Sequence, residues 1–245
     1  MKLETAVTTN TGDRPVNQDS VACETGSGGA SCWVLADGLG GHGGGERAAR
    51  IAADRVLACF REAAAFDTGE LKRHVQQANE AVVAAQIGAR FAQMRTTIVV
   101  LVISGPHATW SHVGDSRLYR MHHGRIRQCT RDHTFLQALV DSGRMQASEV
   151  RYHEDRGRLL RSLGSPEVEA DTGSCETEAG DAWLLASDGF WEPVTEREME
   201  IEFAKAETAQ SWIDGMLRRI HARPATDRDN FSAIAVFVGS AQSPR

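Results

Sequence analysis

The chain has 245 residues, of which 41% are hydrophobic and 24% are charged, and its formal net charge is −6. This composition is typical of a globular protein long enough to bury a sizeable core without disulfides or metal staples. No run of lysines and arginines indicates a nucleic-acid surface, so a polyanionic partner is disfavoured. The five cysteines are scattered and form no C-x-x-C pair, which indicates neither a disulfide framework nor a structural zinc site.

The N-terminal residues lack the apolar segment of a signal peptide. No stretch of the sequence approaches the ~20 apolar residues needed to cross a bilayer. We therefore expect a soluble protein in the cytoplasm. Since no linker, charge block or internal repeat divides the chain, we also expect a single domain over residues 1–245.

A short apolar run at residues 31–36 predicts the first strand, and two amphipathic helices are predicted to follow it. Residues 46–60 carry small and apolar side chains at helical spacing, and residues 71–85 repeat the pattern. Asp67 and Glu70 resemble a capping box at the start of the second helix.

Further strands are predicted at residues 96–103, 108–113, 182–186 and 232–238, together with a hairpin and a C-terminal helix. The hairpin joins residues 118–122 and 125–129 through His123-Gly124, and the helix covers residues 209–220. The polar stretch 132–164 predicts a partly helical surface flap. Because strands arrive in clusters and helices in pairs, the pattern favours an α+β fold with antiparallel sheets over a doubly wound parallel sheet.

Aspartates recur at the ends of the predicted strands. Asp37, Asp115 and Asp188 each stand beside a glycine just after a strand, Asp229 precedes the last strand, and Asp19 lies upstream of the first. One such residue is usually a turn residue, but a set of five is harder to explain in that way. If these ends converge, divalent cations would relieve the repulsion between the carboxylates.

An all-oxygen ligand set suits the hard ions Mg²⁺ and Mn²⁺ better than zinc. Two such ions ~3.5–4 Å apart would activate a bridging water for attack on a phosphoester. The pattern therefore predicts a two-metal hydrolase.

Eight short segments, in chain order, carry a resemblance to the metal-dependent serine/threonine protein phosphatase family (PPM, type 2C), particularly its compact bacterial members. The segments are residues 14–19 (RPVNQD), 36–42 (ADGLGGH), 96–97 (TT), 113–119 (VGDSRLY), 131–133 (RDH), 160–164 (LRSLG), 187–189 (SDG) and 229–230 (DN). The resemblance implies a four-layer α-β-β-α sandwich, with two central antiparallel sheets flanked by helix pairs and the metals at one end.

The resemblance also implies a metal-ligand set. Asp37 would bridge two Mn²⁺ or Mg²⁺ ions, and the carbonyl of Gly38 would complete one site. Asp188 and Asp229 would bind the other ion. Asp115 would form a third metal site together with Asp188.

The same resemblance implies roles for residues around the metals. Asp19 would hold metal-bound water and help to polarise the nucleophile, and Arg14 would grip the substrate phosphate. Asn230 would support the metal ligands. His42 would orient the substrate or protonate the leaving group, unless it is simply an exposed loop histidine.

Two other readings of the glycines and histidines are disfavoured. Residues 38–43 match G-x-G-x-x-G, but a second helix follows where a dinucleotide-binding unit would place a strand, and Asp37 would repel a pyrophosphate. His133 is expected to make structural hydrogen bonds, and His122-His123 is expected to be exposed in the hairpin turn. The histidines therefore indicate no alternative metal site.

These patterns predict an enzyme that hydrolyses phosphoserine and phosphothreonine in proteins with a metal-activated water. As in bacterial relatives, it would reverse a serine/threonine kinase, and a monomer is expected. Two alternatives stay open: a phosphatase of a small phosphorylated metabolite, and a non-catalytic module that binds phosphoproteins.

Overall fold

A computed structural model describes residues 1–40, 44–224 and 227–240 of the chain. Its strands are β1 (Lys2–Asn10), β2 (Asp19–Thr25), β3 (Ser31–Leu39), β4 (Arg95–Thr96), β5 (Ile98–Ser104), β6 (His107–Val113), β7 (Arg117–His122), β8 (Arg125–Cys129), β9 (Asp171–Glu176), β10 (Ala182–Ala186) and β11 (Phe231–Gly239). Its helices are α1 (Gly44–Glu62), α2 (Thr68–Ala84), α3 (Phe135–Asp141), α4 (Ala147–Val150), α5 (Asp188–Trp191), α6 (Glu196–Lys205) and α7 (Ala209–Ala222).

The strands form two antiparallel sheets. One sheet has the order β1-β11-β10-β7-β8, and the other has the order β2-β3-β5-β6-β9, with β4 paired to β3. The strand pairs run antiparallel, and short connections join neighbours such as β7 and β8. This topology confirms the expected antiparallel α+β class.

The side chains of the central strands alternate between two cores, and this alternation builds the layers of the fold. Successive side chains of a strand point to opposite faces. In β3, Trp33 and Leu35 pack between the two sheets, whereas Val34 and Ala36 pack against α1 and α2. On the other sheet, the outer face of β10 packs with α7, where Trp212 is fully buried. The result is the α-β-β-α sandwich that the resemblance implied.

All of the strands and helices that the sequence predicted are present, but one predicted strand is divided into two. The predicted strand 96–103 is broken at Thr97, which separates β4 from β5. The second predicted helix begins after Asp67, whose side chain accepts a hydrogen bond from the backbone N–H of Glu70 at 2.9 Å. The predicted hairpin is formed by β7 and β8.

Sequence reasoning missed β1, β2, β9, the short helix α5, and α6. The three strands lie at sheet edges, and most of their residues are partly or fully exposed. An edge strand therefore carries few of the apolar residues on which pattern recognition depends. The 132–164 stretch contains the short helices α3 and α4.

Within the described ranges, the helices are all too short or too polar to traverse a bilayer.

Candidate metal centre

The five aspartates singled out in the sequence meet at one end of the sandwich. Asp19 and Asp37 are direct partners across β2 and β3. Asp188 opens α5 just after β10, Asp229 lies two residues before β11, and Asp115 follows β6. Burial and the charges of Asp19, Asp188 and Asp115 all raise the pKa of Asp37, so the carboxyl groups are close enough to repel one another.

A threonine pair holds Asp37 through its backbone. The carbonyl of Asp37 accepts hydrogen bonds from the Thr96 hydroxyl and the Thr97 N–H, both at 2.8 Å. Its N–H donates to the Thr97 hydroxyl at 3.1 Å, and that hydroxyl lies 2.7 Å from the Ser116 hydroxyl. These bonds fix the backbone of Asp37, which lines the open cleft at this end of the sandwich.

Asp19 is fixed on one carboxylate oxygen only. The Ser187 hydroxyl donates to Oδ2 of Asp19 at 3.0 Å, whereas Oδ1 is buried with no hydrogen-bond partner among the described residues. Burial raises the pKa of Asp19 to about 6, although hydrogen bonds from Ser232 and Ser187 act to lower it. A buried acceptor without a donor is costly unless a water or a cation satisfies it.

Asp188 and Asp115 share this unfavourable environment. Burial raises the pKa of Asp188 to about 7, and the charges of Glu192, Asp229 and Asp19 add to the effect. Asp115 is only 4% exposed, and burial and the Asp188 charge raise its pKa well above the usual range. Its carbonyl accepts the indole N–H of Trp191 at 3.0 Å. Asp115 therefore sits deeper than the other carboxylates.

Arg14 lies at the mouth of the site and faces Asp229. Its Nε and Nη2 atoms donate to the two carboxylate oxygens of Asp229, each at 3.2 Å. Asn230 holds the loop that carries Arg14: its Oδ1 accepts from the Gln18 N–H at 2.8 Å, and its Nδ2 donates to the carbonyl of Val16 at 3.0 Å. Asn230 therefore braces this loop, and its backbone N–H donates to Oδ1 of Asp229 at 2.8 Å.

An open cleft of about 1180 Å³ exposes the centre to solvent. Arg14, Asp37, Gly38, Asp188 and Asp229 line it. A second cleft of about 780 Å³ shares Arg14, Asp188 and Asp229 and is bordered by residues from the 132–164 stretch. A substrate that reaches the carboxylates can therefore extend along the surface in two directions.

Gly38 is required by a close approach of the chain. A Cβ atom at this position would lie 2.2 Å from the carbonyl oxygen of Gly45, near the start of α1, and 2.7 Å from that of Gln18. The end of β3 can therefore pass this close to α1 only with glycine. His42 lies outside the described residues.

Sequence reasoning missed the hydroxyl and amide groups that support the carboxylates. Ser187 and Ser232 reach Asp19, Thr97 fixes Asp37, and Gln18 donates its side-chain amide to the Gly40 carbonyl at 2.9 Å. Ser187, Thr97 and Gln18 fall inside the recognised segments, which was the available signal. Ser232 stood in a predicted strand with nothing to mark it.

His133 makes the structural hydrogen bonds that the sequence indicated. Its N–H donates to the carbonyl of Gly114 at 2.9 Å, and its Nδ1 accepts from the Gly114 N–H at 3.1 Å. His133 thereby fixes the turn that leads into Asp115.

A cluster of oxygen donors on buried, mutually repelling carboxylates, beside an arginine in an open cleft, suits divalent cations and an anionic substrate. The family model described as protein phosphatase 2C matches residues 9–228. The chain belongs to the protein phosphatase 2C family. This match confirms the resemblance seen in the sequence.

Two similar relatives come from bacteria. The serine/threonine protein phosphatase PstP of Mycobacterium tuberculosis is 34% identical over 204 residues, which cover 81% of this chain and 38% of PstP. The chain thus spans well under half the length of that relative. The serine/threonine phosphatase stp of Listeria monocytogenes is 30% identical over 210 residues, covering 83% of this chain and 82% of stp.

A solved structure supports the fold. The catalytic domain of PstP in complex with two manganese ions is 30% identical to this chain and superposes with a TM-score of 0.82. The alignment covers 97% of this chain and 99% of that one.

Proposed function

We propose that this protein phosphatase 2C family member hydrolyses phosphoserine and phosphothreonine in proteins and requires Mn²⁺ or Mg²⁺. The observation that carries the proposal is the convergence of Asp37, Asp188 and Asp229 in an open cleft that Arg14 also lines, with the buried Asp19 beside Asp37. The names of the relatives as serine/threonine phosphatases, one of them solved with two manganese ions, support the same activity.

The residues present fit a pair of divalent ions. The orphaned Oδ1 of Asp19 and the raised pKa values of Asp37 and Asp188 support cation binding at this end of the sandwich. Asp37 would bridge the two ions, the carbonyl of Gly38 would complete one site, and Asp188 and Asp229 would serve the other. When bound, the ions would acidify a shared water and so supply the attacking nucleophile.

A third ion is proposed at Asp115 and Asp188. Burial and the Asp188 charge both act against ionisation of Asp115, so the ion would restore its carboxylate form. Asp115 itself is buried and does not line the main cleft.

Asp19 and Arg14 would act on the nucleophile and the substrate. Because Ser187 occupies one oxygen of Asp19, the other is the acceptor available to orient the attacking water. Arg14 already makes a two-pronged contact with Asp229, and a phosphate offers the same pair of oxygens to a guanidinium. We therefore assign Arg14 to the phosphate of the substrate.

Wider features stay predictions from the sequence. We propose that residues 1–245 form one phosphatase domain, with residues 132–164 as a flap beside the cleft. The partners would be phosphorylated proteins and the serine/threonine kinase that modifies them, and the enzyme would act as a cytoplasmic monomer. His42 would orient the substrate or donate a proton to the leaving group.

Hydrolysis of a phosphothreonine peptide tests the proposal, with Mn²⁺, with Mg²⁺ and after EDTA. We expect turnover with either ion, none after chelation, and none in Asp188→Asn. Asp214→Asn is the matched control, because Asp214 lies on the outer helix α7 and contacts Gln210. Turnover that survives EDTA would contradict metal dependence.

The open alternatives predict other outcomes in the same assay. Turnover of a small phosphate ester without turnover of the peptide would identify a metabolite phosphatase. Metal binding by calorimetry without any turnover would identify a phosphoprotein-binding module.

A further inference from the structure

Arg151 attaches the flap to the segment that carries the proposed metal ligand Asp188. Asp188 is the first residue of the short helix α5, and Trp191 is the last. Nη1 of Arg151 donates to the carbonyl of Trp191, to that of Glu192 at 2.7 Å and to that of Val194 at 3.3 Å. These carbonyls lie at or just beyond the end of α5, where backbone acceptors lack partners within the helix. A side chain of the flap therefore caps this helix.

The same guanidinium also binds the next helix. Nη2 of Arg151 lies 2.8 Å from each carboxylate oxygen of Glu196, the first residue of α6. Only 13% of the Arg151 side chain is exposed. The planar fork of a guanidinium can serve two sets of acceptors in a fixed geometry, whereas the ammonium of a lysine is a single point of charge. Arg151 thus fixes the flap to α5 and α6 together.

Trp191 extends this attachment to a second acidic residue of the metal centre. Trp191 is buried, and the guanidinium carbon of Arg151 lies 5.2 Å from the centroid of its ring. Arg117, which donates to both carboxylate oxygens of Asp132 at 2.8 Å, packs on the same ring at 3.4 Å. The indole N–H donates to the carbonyl of Asp115 at 3.0 Å. The tryptophan that ends α5 therefore helps to fix the backbone of Asp115.

We propose that Arg151 is a positioning residue for phosphoester hydrolysis, because it couples docking of the flap to metal binding at Asp188 and Asp115. This inference rests on the proposed function. Helix α5 has only four residues, so a shift of the end that Arg151 holds also displaces Asp188 at its start. Two binding events that share one element stabilise each other reciprocally. A docked flap therefore strengthens metal binding, and bound metal keeps the flap docked.

Arg156 gives the flap another contact with the same segment. Its Nε donates to a carboxylate oxygen of Glu192 at 2.9 Å, but 44% of the Arg156 side chain is exposed. An exposed ion pair of this kind contributes little to stability, since water and salt screen it. Arg151 is more buried and binds backbone carbonyls as well as a carboxylate. Removal of Arg151 alone is therefore expected to uncouple the flap from the metal centre.

Hydrogen exchange of the flap, measured with and without Mg²⁺, tests the proposal. In the wild type we expect Mg²⁺ to slow exchange of the amides in residues 146–158 by at least about fivefold, the lower end of usual couplings between sites. Arg151→Gln should lose this protection and should bind Mg²⁺ at least about fivefold more weakly in calorimetry. Arg158→Gln is the matched control, because Arg158 is an exposed arginine of the flap whose guanidinium packs on Phe135 within the flap.

If Arg151→Gln does not fold, Arg151→Lys answers the same question. Lysine keeps the charge but cannot serve α5 and α6 together, so it should restore only part of the protection and of the Mg²⁺ affinity.

A purely structural arginine would lower the thermal midpoint without changing the Mg²⁺ affinity or the effect of Mg²⁺ on the flap. Unchanged Mg²⁺ affinity in Arg151→Gln would therefore overturn the inference, as would flap exchange in the wild type that Mg²⁺ does not alter. If the wild type still turns over a phosphopeptide with Mg²⁺, either result leaves the proposed function intact. A wild type that binds no Mg²⁺ would overturn both.

Discussion

Replacing Asp188 with asparagine is expected to stabilise the metal-free protein while it abolishes turnover. In the folded chain the pKa of Asp188 is about 7, against an ordinary value of 3.8, because the carboxyl is buried and faces Glu192, Asp229 and Asp19. Folding therefore opposes ionisation of this group. Asparagine keeps the shape and the Oδ1 acceptor that receives the Gly189 N–H, but it carries no charge.

The magnitude follows from the pKa difference. A shift from 3.8 to about 7 corresponds to about 4 kcal/mol at pH values above 7, since each pKa unit is worth about 1.4 kcal/mol. Asp19 and Asp37 belong to the same cluster of mutually repelling carboxylates. Removing the charge of Asp188 alone therefore recovers only part of this free energy. We expect a gain of about 1–2 kcal/mol, or a rise in Tm of roughly 3–6 °C for a chain of this size.

Thermal denaturation in EDTA at pH 5 and pH 7.5 measures the effect. A raised carboxyl pKa means that the folded state binds more protons than the unfolded state between pH ~4 and ~7, so the penalty grows as the pH rises through that window. The advantage of Asp188→Asn should therefore be larger at pH 7.5 than at pH 5. Added Mn²⁺ should raise the Tm of the wild type far more than that of the variant.

Two results would refute this reasoning. One is an Asp188→Asn protein that is less stable than the wild type in EDTA at pH 7.5, and the other is equal stabilisation of both proteins by Mn²⁺. Asp214→Asn should change neither the Tm nor the response to Mn²⁺.

Three further predictions concern the same end of the molecule. Arg14→Ala should raise the KM for a phosphopeptide with little change in Mn²⁺ affinity, and Arg14→Lys should restore part of the loss; unchanged kinetics would remove Arg14 from the phosphate site. The metal-free wild type should lose stability as the pH rises from ~4 to ~7, because the pKa values of Asp19 and Asp188 are raised to about 6 and about 7, and denaturation curves that are flat with pH would contradict this. Gly38→Ala should destabilise the protein by about 1–3 kcal/mol in chemical denaturation, because its Cβ would meet the Gly45 carbonyl at 2.2 Å; a neutral effect would show that α1 can move aside.

The central strands were predictable from the sequence because both of their faces are buried. Strand β5 is apolar from Ile98 to Ile103, since it lies between the helical layer and the second sheet. The edge strand β1 has a single fully buried residue, Ala6, and it reaches its place by pairing along its whole length with β11. That pairing joins the two ends of the chain and leaves no local trace in the sequence.

The candidate site was predictable as a set of residues but not as an arrangement. Asp37 and Asp188 are marked by the adjacent glycines, but their mutual distance depends on how two sheets stack. The contact between Arg14 and Asp229 spans 215 positions of sequence. The hydrogen bond from the Ser187 hydroxyl to Oδ2 of Asp19, and the lack of a partner at Oδ1 among the described residues, are likewise evident only from the three-dimensional structure.

The two ends of β10 show why a buried aspartate alone does not identify a metal centre. Burial acts to raise the pKa of Asp181, but hydrogen bonds from His122 and Arg120 outweigh it, and the pKa is lowered. At the other end, Asp188 is also buried and faces Glu192, Asp229 and Asp19, which outweigh the hydrogen bond from the Gly189 N–H, so its pKa is raised. Asp181 therefore contributes to stability as an anion, whereas we propose that the charge of Asp188 is balanced by a bound cation. This imbalance, rather than the acidic residue itself, distinguishes a site built for metal ions from a structural ion pair.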